Sequence, residues 1–295
     1  MTNLIQRSIT GLFIIVILVG SILLNALSFF LLFLIILIVS MLEFYRMARH
    51  TRARPQKYFG VLIGGVLFIV NFLFAVGFIN QKYFFIFIPL IVLIFINELF
   101  LNNNRPFTNI AYTLLGIIYV AIPLSMINYL VLSPAGELFG LQTGEETVDI
   151  VNYIFQPDRK IIYSSHILLG FFFLVWAYDT GAYVIGVSFG KHKLFKRISP
   201  KKSWEGLFGG MFFAFIVSVI ISKYFVDLRM LDWLMIALIV TTIGTFGDLV
   251  ESMFKRSVGV KDSGNILPGH GGLLDRFDGV FLSLPVVFAY IQFIT

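Results

Sequence analysis

Residues 28–46 read SFFLLFLIILIVSMLEFYR, an apolar run long enough to cross a lipid bilayer as one helix. Similar runs recur along the whole chain of 295 residues, of which 58% are hydrophobic and 13% are charged. In water-soluble domains, about a quarter of the residues are charged. We therefore predict an all-α, polytopic integral membrane helix bundle with about nine transmembrane helices. The predicted spans are 5–25, 28–46, 58–79, 83–101, 109–132, 161–189, 204–222, 230–254 and 274–294.

Lysine and arginine residues are distributed unequally among the connections between these spans. Most of the 22 basic residues lie at the N-terminus and after the even-numbered spans, whereas the loop 133–160 is acidic. Because cytoplasmic loops carry an excess of positive charge, we predict that the N-terminus is inside and the C-terminus outside. The same bias accounts for the net charge of +6. We therefore expect membrane lipids and no nucleic acid as partners, and location in the inner membrane if the protein is bacterial.

The two halves of the chain differ in chemistry. Residues 1–160 comprise about five nearly featureless spans and the extracytoplasmic loop 133–160. Residues 161–295 comprise about four spans and hold most of the unusual polar residues, on loops and helix ends. We therefore predict an N-terminal transmembrane region and a C-terminal catalytic region whose active site lies on the cytoplasmic face. The apolar N-terminus would suit a signal peptide, but no small-x-small cleavage site follows, so we interpret it as the first span.

A polar stripe ends the eighth span, in the sequence GDLVESMFKR (247–256). Asp248, Glu251, Ser252 and Lys255 follow helical spacing and would lie on one face. An acid inside a transmembrane segment is costly and usually has a partner or a function. One interpretation is an internal salt bridge to Lys255. The other is a metal-binding carboxylate with a phosphate-binding Lys255 one turn away and Arg256 beside it.

A glycine-rich loop precedes the last span, in the sequence KDSGNILPGHGGLLDRFD (261–278). Gly271 and Gly272 would let the backbone approach an anion closely, at the positive end of the following helix dipole. Asp275 and Asp278 lie one turn apart at the start of that helix. They would either complement its dipole or bind a cation. Further phosphate-binding candidates in this loop are Lys261, His270 and Arg276, although His270 would also serve as a simple hydrogen-bonding residue.

The acidic residues at these two places have the chemistry of a magnesium site. Mg²⁺ prefers oxygen ligands, typically one or two carboxylates together with substrate phosphates. Asp248, Asp275 and Asp278 supply such oxygens, and the sequence leaves open whether a second cation binds. The chain has no cysteine and four histidines, so a structural zinc site is not expected.

A third candidate is SPKKSWEG (199–206), which follows a strongly basic loop. Ser199 and Pro200 have the pattern of an N-cap followed by proline at the first helical position. This interpretation places Lys201, Lys202 and Ser203 at a helix N-terminus, where lysines are favourable only if an anion binds there. The alternative is a topology signal or attraction to anionic lipids.

Other acids lie within or beside the spans. Asp179 would be deep in the sixth span, either paired with a lysine of the loop 191–202 or completing the metal or nucleotide site. We interpret Glu43, Glu98 and the basic cluster 46–57 as solvated helix ends and topology signals.

The stretch SMFKRSVGVKDSGNILPGHGGLLDRFD (252–278) resembles the signature of CDP-diacylglycerol synthases, also called phosphatidate cytidylyltransferases. GDLVESMFKR, SPKKSWEG and DTGAYVIGVSFGK (179–191) resemble other motifs of this family, and the resemblance covers residues 179–278. Ser203 departs from the family pattern, which usually has threonine there. The resemblance implies that CTP and phosphatidate react to give CDP-diacylglycerol and pyrophosphate with Mg²⁺, in phospholipid biosynthesis. For this reaction we predict that Asp248, Asp275, Asp278 and Lys255 are catalytic, with Asp248 and Asp275 holding the metal ion and Asp278 supporting it.

Other functions remain open at this stage. A CTP-dependent lipid kinase, such as a polyprenol or phytol kinase, shares parts of this machinery but would release CDP. A sugar-phosphate transferase acting on polyprenyl phosphate is another alternative. A transporter predicts repeated, broken helices with acids near the bilayer midplane, and the sequence shows no such repeat. The sequence also leaves open whether the chain forms a homodimer.

Overall fold

The computed structural model describes residues 3–134, 161–264, 266 and 271–294. Most of the predicted loop 133–160 and the candidate His270 therefore lie outside the described residues. The helices are α1 (Asn3–Leu24), α2 (Ala26–Ala48), α3 (Lys57–Ala75), α4 (Phe87–Leu101), α5 (Pro106–Gly116), α6 (Ile122–Met126), α7 (His166–Phe189), α8 (Trp204–Ile221), α9 (Met230–Ser257) and α10 (Leu274–Ile294).

The prediction of a polytopic helical membrane protein is confirmed. Among the described residues, eight helical segments are long and apolar enough to cross a membrane, beginning with Ala26–Thr51. The first predicted span corresponds to α1, whose segment Ile9–Leu24 is apolar. A tight turn separates α1 from α2, as expected. Asn25 caps α2, because its side chain accepts a hydrogen bond from the backbone N–H of Ser28 at 2.9 Å.

The segment Pro106–Leu130 is one span built from several helical pieces. A π-helical turn, Ile117–Ala121, joins α5 to α6. Pro123 lies just beyond it. Proline has no N–H and disturbs the regular ladder of a helix, which accounts for the irregular turn.

Two short strands close the base of the loop that follows. β1 (Leu132–Pro134) and β2 (Ile161–Tyr163) pair in antiparallel fashion, with Leu132 opposite Tyr163. The Tyr163 hydroxyl donates a hydrogen bond to the backbone oxygen of Ile22 at 2.6 Å. This end of the bundle therefore connects the start of the C-terminal region to α1.

A second hairpin, β3 (Lys193–Phe195) and β4 (Ser199–Ser203), joins α7 to α8. α7 packs along α8, and α9 packs along α10. α10 also contacts α2 and α6, so the buried core contains side chains from both halves of the chain. The division at residue 160 stays a prediction, as does the orientation across the membrane. What matters for function is that α2, α9 and α10 meet at one end of the bundle.

Candidate active site

Lys202, one of the predicted phosphate-binding residues, lies on the β3–β4 hairpin rather than on a helix. α8 begins at Trp204, so the prediction that it begins at Ser199 and Pro200 is wrong. The reason is that the hairpin's backbone hydrogen bonds hold this stretch in an extended conformation. Ser203 caps α8 instead, because its hydroxyl accepts a hydrogen bond from the backbone N–H three residues later at 3.2 Å.

Asp248 on α9 is the partner of Lys202. The lysine Nζ lies 2.6 Å from Oδ2 of Asp248 and 3.5 Å from the backbone oxygen of Thr245. The hydroxyl of Ser252, one turn later, donates a hydrogen bond to Oδ1 of Asp248 at 3.2 Å. The side chains of Lys202 and Asp248 are 23% and 34% exposed. A ligand at this end of the bundle can therefore reach the ion pair.

Two further carboxylates lie around this pair. Asp278, near the start of α10, interacts electrostatically with Asp248 and with Asp179 of α7. Asp179 in turn interacts with Asp248, Lys202 and Arg276. Asp179 therefore lies near both of the partners that were predicted as alternatives, a lysine of the loop 191–202 and the acidic site. Negative charge concentrates here, with Lys202 and Arg276 as the neighbouring cations.

Lys255 occupies a second, more buried part of the site. Its Nζ lies 2.5 Å from Oε2 of Glu251, one turn earlier on α9, and 2.7 Å from Oδ1 of Asp275 on α10. Glu251 is fully buried, and the other two side chains are nearly so. A buried cation between two carboxylates is strongly constrained, because removal of one partner leaves an uncompensated charge. Lys255 and Asp275 therefore join α9 to α10.

The other oxygen of Asp275 organises the glycine-rich loop. Oδ2 accepts hydrogen bonds from the backbone N–H of Ser263 at 2.9 Å, the Ser263 hydroxyl at 2.8 Å and the backbone N–H of Gly272 at 2.9 Å. Gly271 has a φ of 85°, a conformation that residues with a side chain rarely adopt. A Cβ atom at Gly271 would also lie 2.6 Å from Oδ2. The loop consequently folds closely around this carboxylate.

Glu43 on α2 is a site residue that the sequence analysis missed. It is 0% exposed. Its Oε2 accepts a hydrogen bond from the backbone N–H of Leu274 at 2.8 Å and lies 3.4 Å from the hydroxyl oxygen of Ser263, which donates its proton to Asp275. A Cβ atom at Gly272 would collide with this carboxylate. The interpretation of Glu43 as a solvated helix end is therefore wrong. The sequence did contain a signal, because Glu43 is an acidic residue inside an otherwise apolar run. Placing such a charge there costs free energy unless the side chain has a partner.

Glu98 was also interpreted wrongly as a solvated helix end. It is 3% exposed. Its carboxylate accepts hydrogen bonds from the side-chain amides of Gln56 at 2.8 Å, Asn103 at 3.0 Å and Asn109 at 2.7 Å. These bonds hold the start of α3, the end of α4 and the start of α5 together.

The remaining predicted site residues differ in their surroundings. Gly271 and Gly272 belong to the loop around Asp275. Predicted phosphate-binding cations that are exposed at the surface are Lys201, Arg256, Lys261 and Arg276. Of these, Arg276 interacts with Asp179. The structure thus brings Lys202 to Asp248 and Lys255 to Asp275, and it leaves most of the other cations solvated.

Asp248 and Asp278 offer carboxylate oxygens, which are the donors that a magnesium ion takes. Among the described residues, no three acidic or histidine side chains already converge as a metal-binding group. Asp275 directs both oxygens to protein donors. The Tyr119 hydroxyl is buried without a hydrogen-bond partner in the described structure and interacts electrostatically with Asp248 and Asp278. A hard cation takes carboxylate oxygens such as these, and the metal set of Asp248, Asp275 and Asp278 stays a prediction.

Comparison with known proteins identifies the family. The model of the cytidylyltransferase family matches residues 5–294. The chain belongs to the cytidylyltransferase family. Over 124 residues, it is 52% identical to a phosphatidate cytidylyltransferase of Staphylococcus aureus, covering 41% of this chain and 47% of that protein. Proteins of the same name from Staphylococcus epidermidis (52% over 118 residues, 39% and 45% covered) and Staphylococcus haemolyticus (50% over 124 residues, 41% and 47% covered) are also similar.

The alignments to these relatives span about half of their length. The match to the cytidylyltransferase family model is much longer than the C-terminal resemblance described above. It includes Glu43 on α2 as well as the Lys202–Asp248 and Lys255–Asp275 pairs. Membership in the cytidylyltransferase family therefore applies to the whole bundle.

Proposed function

We propose that this chain transfers the cytidylyl group of CTP to phosphatidate, which yields CDP-diacylglycerol and pyrophosphate. This is the phosphatidate cytidylyltransferase reaction of phospholipid biosynthesis. The observation that carries the proposal is the accessible Lys202–Asp248 ion pair with Asp278 and Asp179 beside it. Carboxylates for a cation and a lysine for phosphate oxygens suit a nucleoside triphosphate. The names of the similar staphylococcal proteins support the same reaction.

The position of the site suits a reaction between a lipid and a water-soluble nucleotide. The charged residues lie at the end of α9 and the start of α10, where a spanning bundle meets water. Phosphatidate would keep its acyl chains in the bilayer and present its phosphate at this end, while CTP would arrive from the cytoplasm. The cytoplasmic location is part of the proposal, and the excess of basic residues in the connections on this side supports it.

The chemical step is an in-line displacement at phosphorus. An ionised oxygen of the phosphatidate phosphate attacks the α-phosphorus of CTP and forms a new phosphorus–oxygen bond. The bond from the α-phosphorus to the oxygen bridging to the β-phosphate breaks, and pyrophosphate leaves with the electron pair. Phosphatidate is ionised at neutral pH, so this step requires no dedicated general base. Lys202 would turn from Asp248 to the phosphate oxygens and stabilise their charge.

Asp248 and Asp278 are the side chains that we propose to hold Mg²⁺, with Asp179 adding negative charge nearby. When bound, Mg²⁺ would neutralise phosphate charge and orient the triphosphate. Asp275 was predicted as a further ligand. Its bonds to Lys255 and Ser263 support a different contribution, which is to hold the glycine-rich loop in place beside the substrates.

The test is the activity of Asp248→Asn, measured as pyrophosphate release from CTP and phosphatidate with Mg²⁺. We expect turnover to fall about 100-fold or more, because removal of one preorganised electrostatic group commonly costs that much. Asp232→Asn is the matched control, because Asp232 lies at the opposite end of α9, where it caps the helix and accepts a hydrogen bond from Tyr290. Equal turnover in the two variants would refute the assignment of Asp248.

The same assay examines the metal and the reaction type. Chelation with EDTA should abolish pyrophosphate release, and added Mg²⁺ should restore it. Release of CDP in place of pyrophosphate would contradict the proposal and support the alternative of a CTP-dependent lipid kinase.

A further inference from the structure

A second concentration of positive charge lies in the N-terminal half, where the proposed reaction has no role for it. An open cavity of about 840 Å³ lies between the connection that follows α2 and the connection that joins α4 to α5. Four arginines line it: Arg49, Arg52, Arg54 and Arg105. Asparagine side chains complete much of the remaining wall. We call this cavity the arginine cleft.

The arginines of the cleft lack acidic partners. Among the residues that the structure describes, no aspartate or glutamate forms an ion pair with any of the four. The carboxylate nearest in sequence to Arg105, that of Glu98, is buried and already accepts three amide hydrogen bonds. Each guanidinium carries five N–H donors and cannot lose its charge in a protein. Arg105 donates one long hydrogen bond, from Nη1 to the backbone oxygen of Thr51 at 3.5 Å. The cleft therefore gathers four positive charges, and most of their donors remain available to an anion.

Hydrogen bonds hold the wall of the cleft in place. The backbone N–H of Arg54 donates to Oδ1 of Asn109 at 2.7 Å, and the backbone N–H of Gln56 donates to the Thr113 hydroxyl at 3.0 Å. The buried Glu98 carboxylate ties Gln56 and Asn109 together. If these arginines served only to orient the chain in the membrane, positive charge alone would be enough. A buried carboxylate that joins three helix ends by hydrogen bonds would not be required. The construction instead preorganises the arginines around a space.

Exposed apolar side chains that lie close in sequence to the lining residues Asn102 and Arg105 indicate what occupies the cleft. Leu99 and Phe100, in the last turn of α4, are 79% and 82% exposed, and Phe107, in the first turn of α5, is 79% exposed. In a membrane-spanning bundle, large apolar side chains exposed this strongly face lipid. Acyl chains can therefore lie along α4 while a headgroup enters the cleft. Arginine matches phosphate oxygens well, because its planar fork donates two parallel hydrogen bonds.

We propose that the arginine cleft binds the phosphate headgroup of an anionic membrane phospholipid, at a site separate from the catalytic one. Both lie at the same end of the bundle, because Glu43 of the active site lies in the last turns of α2 and Arg49 of the cleft directly follows the end of that helix. The cleft would hold such a lipid beside the enzyme without taking part in the displacement at phosphorus. The proposal does not depend on which reaction the catalytic site performs.

The experiment compares lipid binding by three full-length proteins purified in detergent. These are the unmodified chain, the double variant R52Q/R105Q and a control double variant, R46Q/K57Q. Both double variants remove two positive charges from the same end of the bundle, but Arg46 and Lys57 do not line the cleft. The substituted arginines are exposed, so folding should be unaffected. Native mass spectrometry would measure the binding of dioleoyl phosphatidate and dioleoyl phosphatidylcholine.

We expect R52Q/R105Q to bind phosphatidate about tenfold more weakly than the other two proteins, because two charge-assisted hydrogen-bonding groups are lost. Binding of phosphatidylcholine should be the same for all three. The catalytic site contributes equally to all three proteins, because none of the substitutions touches it. Equal phosphatidate affinity in all three proteins would overturn the proposal.

A further arm distinguishes lipid from free phosphate. Inorganic phosphate alone would be added and the melting temperature recorded. An arginine-dependent rise with inorganic phosphate, without arginine-dependent binding of phosphatidate, would identify a soluble anion as the ligand and overturn the lipid assignment.

Discussion

The close contact between α9 and α10 provides a sharp test of how the acidic site is held together. Gly247 immediately precedes Asp248 on α9, and it faces the backbone of α10 where Asp278 lies. A Cβ atom at Gly247 would lie 2.7 Å from the backbone oxygen of Asp278 and 3.1 Å from Cα of Gly279. Both are backbone atoms, so no side chain can rotate away. Gly247→Ala must therefore push the two helices apart.

The size of the displacement follows from these distances. Ordinary contacts of a Cβ atom begin at 3.4 Å, so the helices must separate by about 0.7 Å at this point. Overpacking of this kind typically costs about 1–3 kcal/mol, partly offset by about 1 kcal/mol because alanine favours a helix more than glycine does. The separation also moves Asp278 relative to Asp248. Because misplacement by about 1 Å can cost about 100-fold in rate, we expect a loss of roughly 10- to 100-fold.

Gly244→Ala is the matched control, one turn earlier on the same helix. A Cβ atom at Gly244 would lie 3.7 Å from the backbone oxygen of Gly279 and 4.0 Å from its Cα, which is ordinary contact. We expect this variant to keep its activity and its melting temperature. The assays are pyrophosphate release with CTP and phosphatidate, and thermal unfolding in detergent. If Gly247→Ala and Gly244→Ala behave alike in both assays, the inference that helix contact sets the Asp248–Asp278 geometry is wrong.

Two further substitutions examine the buried half of the site. Glu43→Ala should lower the free energy of unfolding by about 1–3 kcal/mol, because it leaves the backbone N–H of Leu274 without an acceptor. Glu43→Gln keeps an acceptor and should recover at least half of that loss. Equal stability of Glu43→Ala and the unmodified chain in denaturant titration would contradict this role. Lys255→Met should cost about 3–5 kcal/mol, because it leaves Glu251 and Asp275 as buried charges without a cation. Adding Glu251→Gln to Lys255→Met should raise the melting temperature again, and a further decrease would show that the three side chains do not act as one charge cluster.

Local patterns in the sequence were sufficient for the helical architecture. Apolar runs of about 20 residues dictate spanning helices, because no backbone polar group can remain unpaired in lipid. The stripe of polar residues from Asp248 to Lys255 was also predictable, since helical spacing alone places them on one face. Within this stripe, the bonds from Ser252 to Asp248 and from Lys255 to Glu251 join residues one turn apart.

The start of α8 shows where a local pattern was overridden. Ser199 and Pro200 have the residue types of a helix N-terminus, yet they lie in β4. The pairing of β4 with β3 satisfies the backbone groups of this stretch, and a propensity worth a fraction of a kcal/mol does not compete with it. The cap consequently moves to Ser203, whose hydroxyl binds the first turn of α8.

The sequence by itself determined that this chain spans a membrane as helices and that its acids, lysines and glycines gather near three places in the C-terminal half, because composition and period are local properties. Only the tertiary structure decided the partners: Lys202 with Asp248, Lys255 with Asp275, and Glu43 with the backbone of Leu274, a residue 231 positions away. A buried charge is stable only where other segments bring it donors or a counter-charge. Those segments meet through the packing of α2, α9 and α10, which no local pattern records.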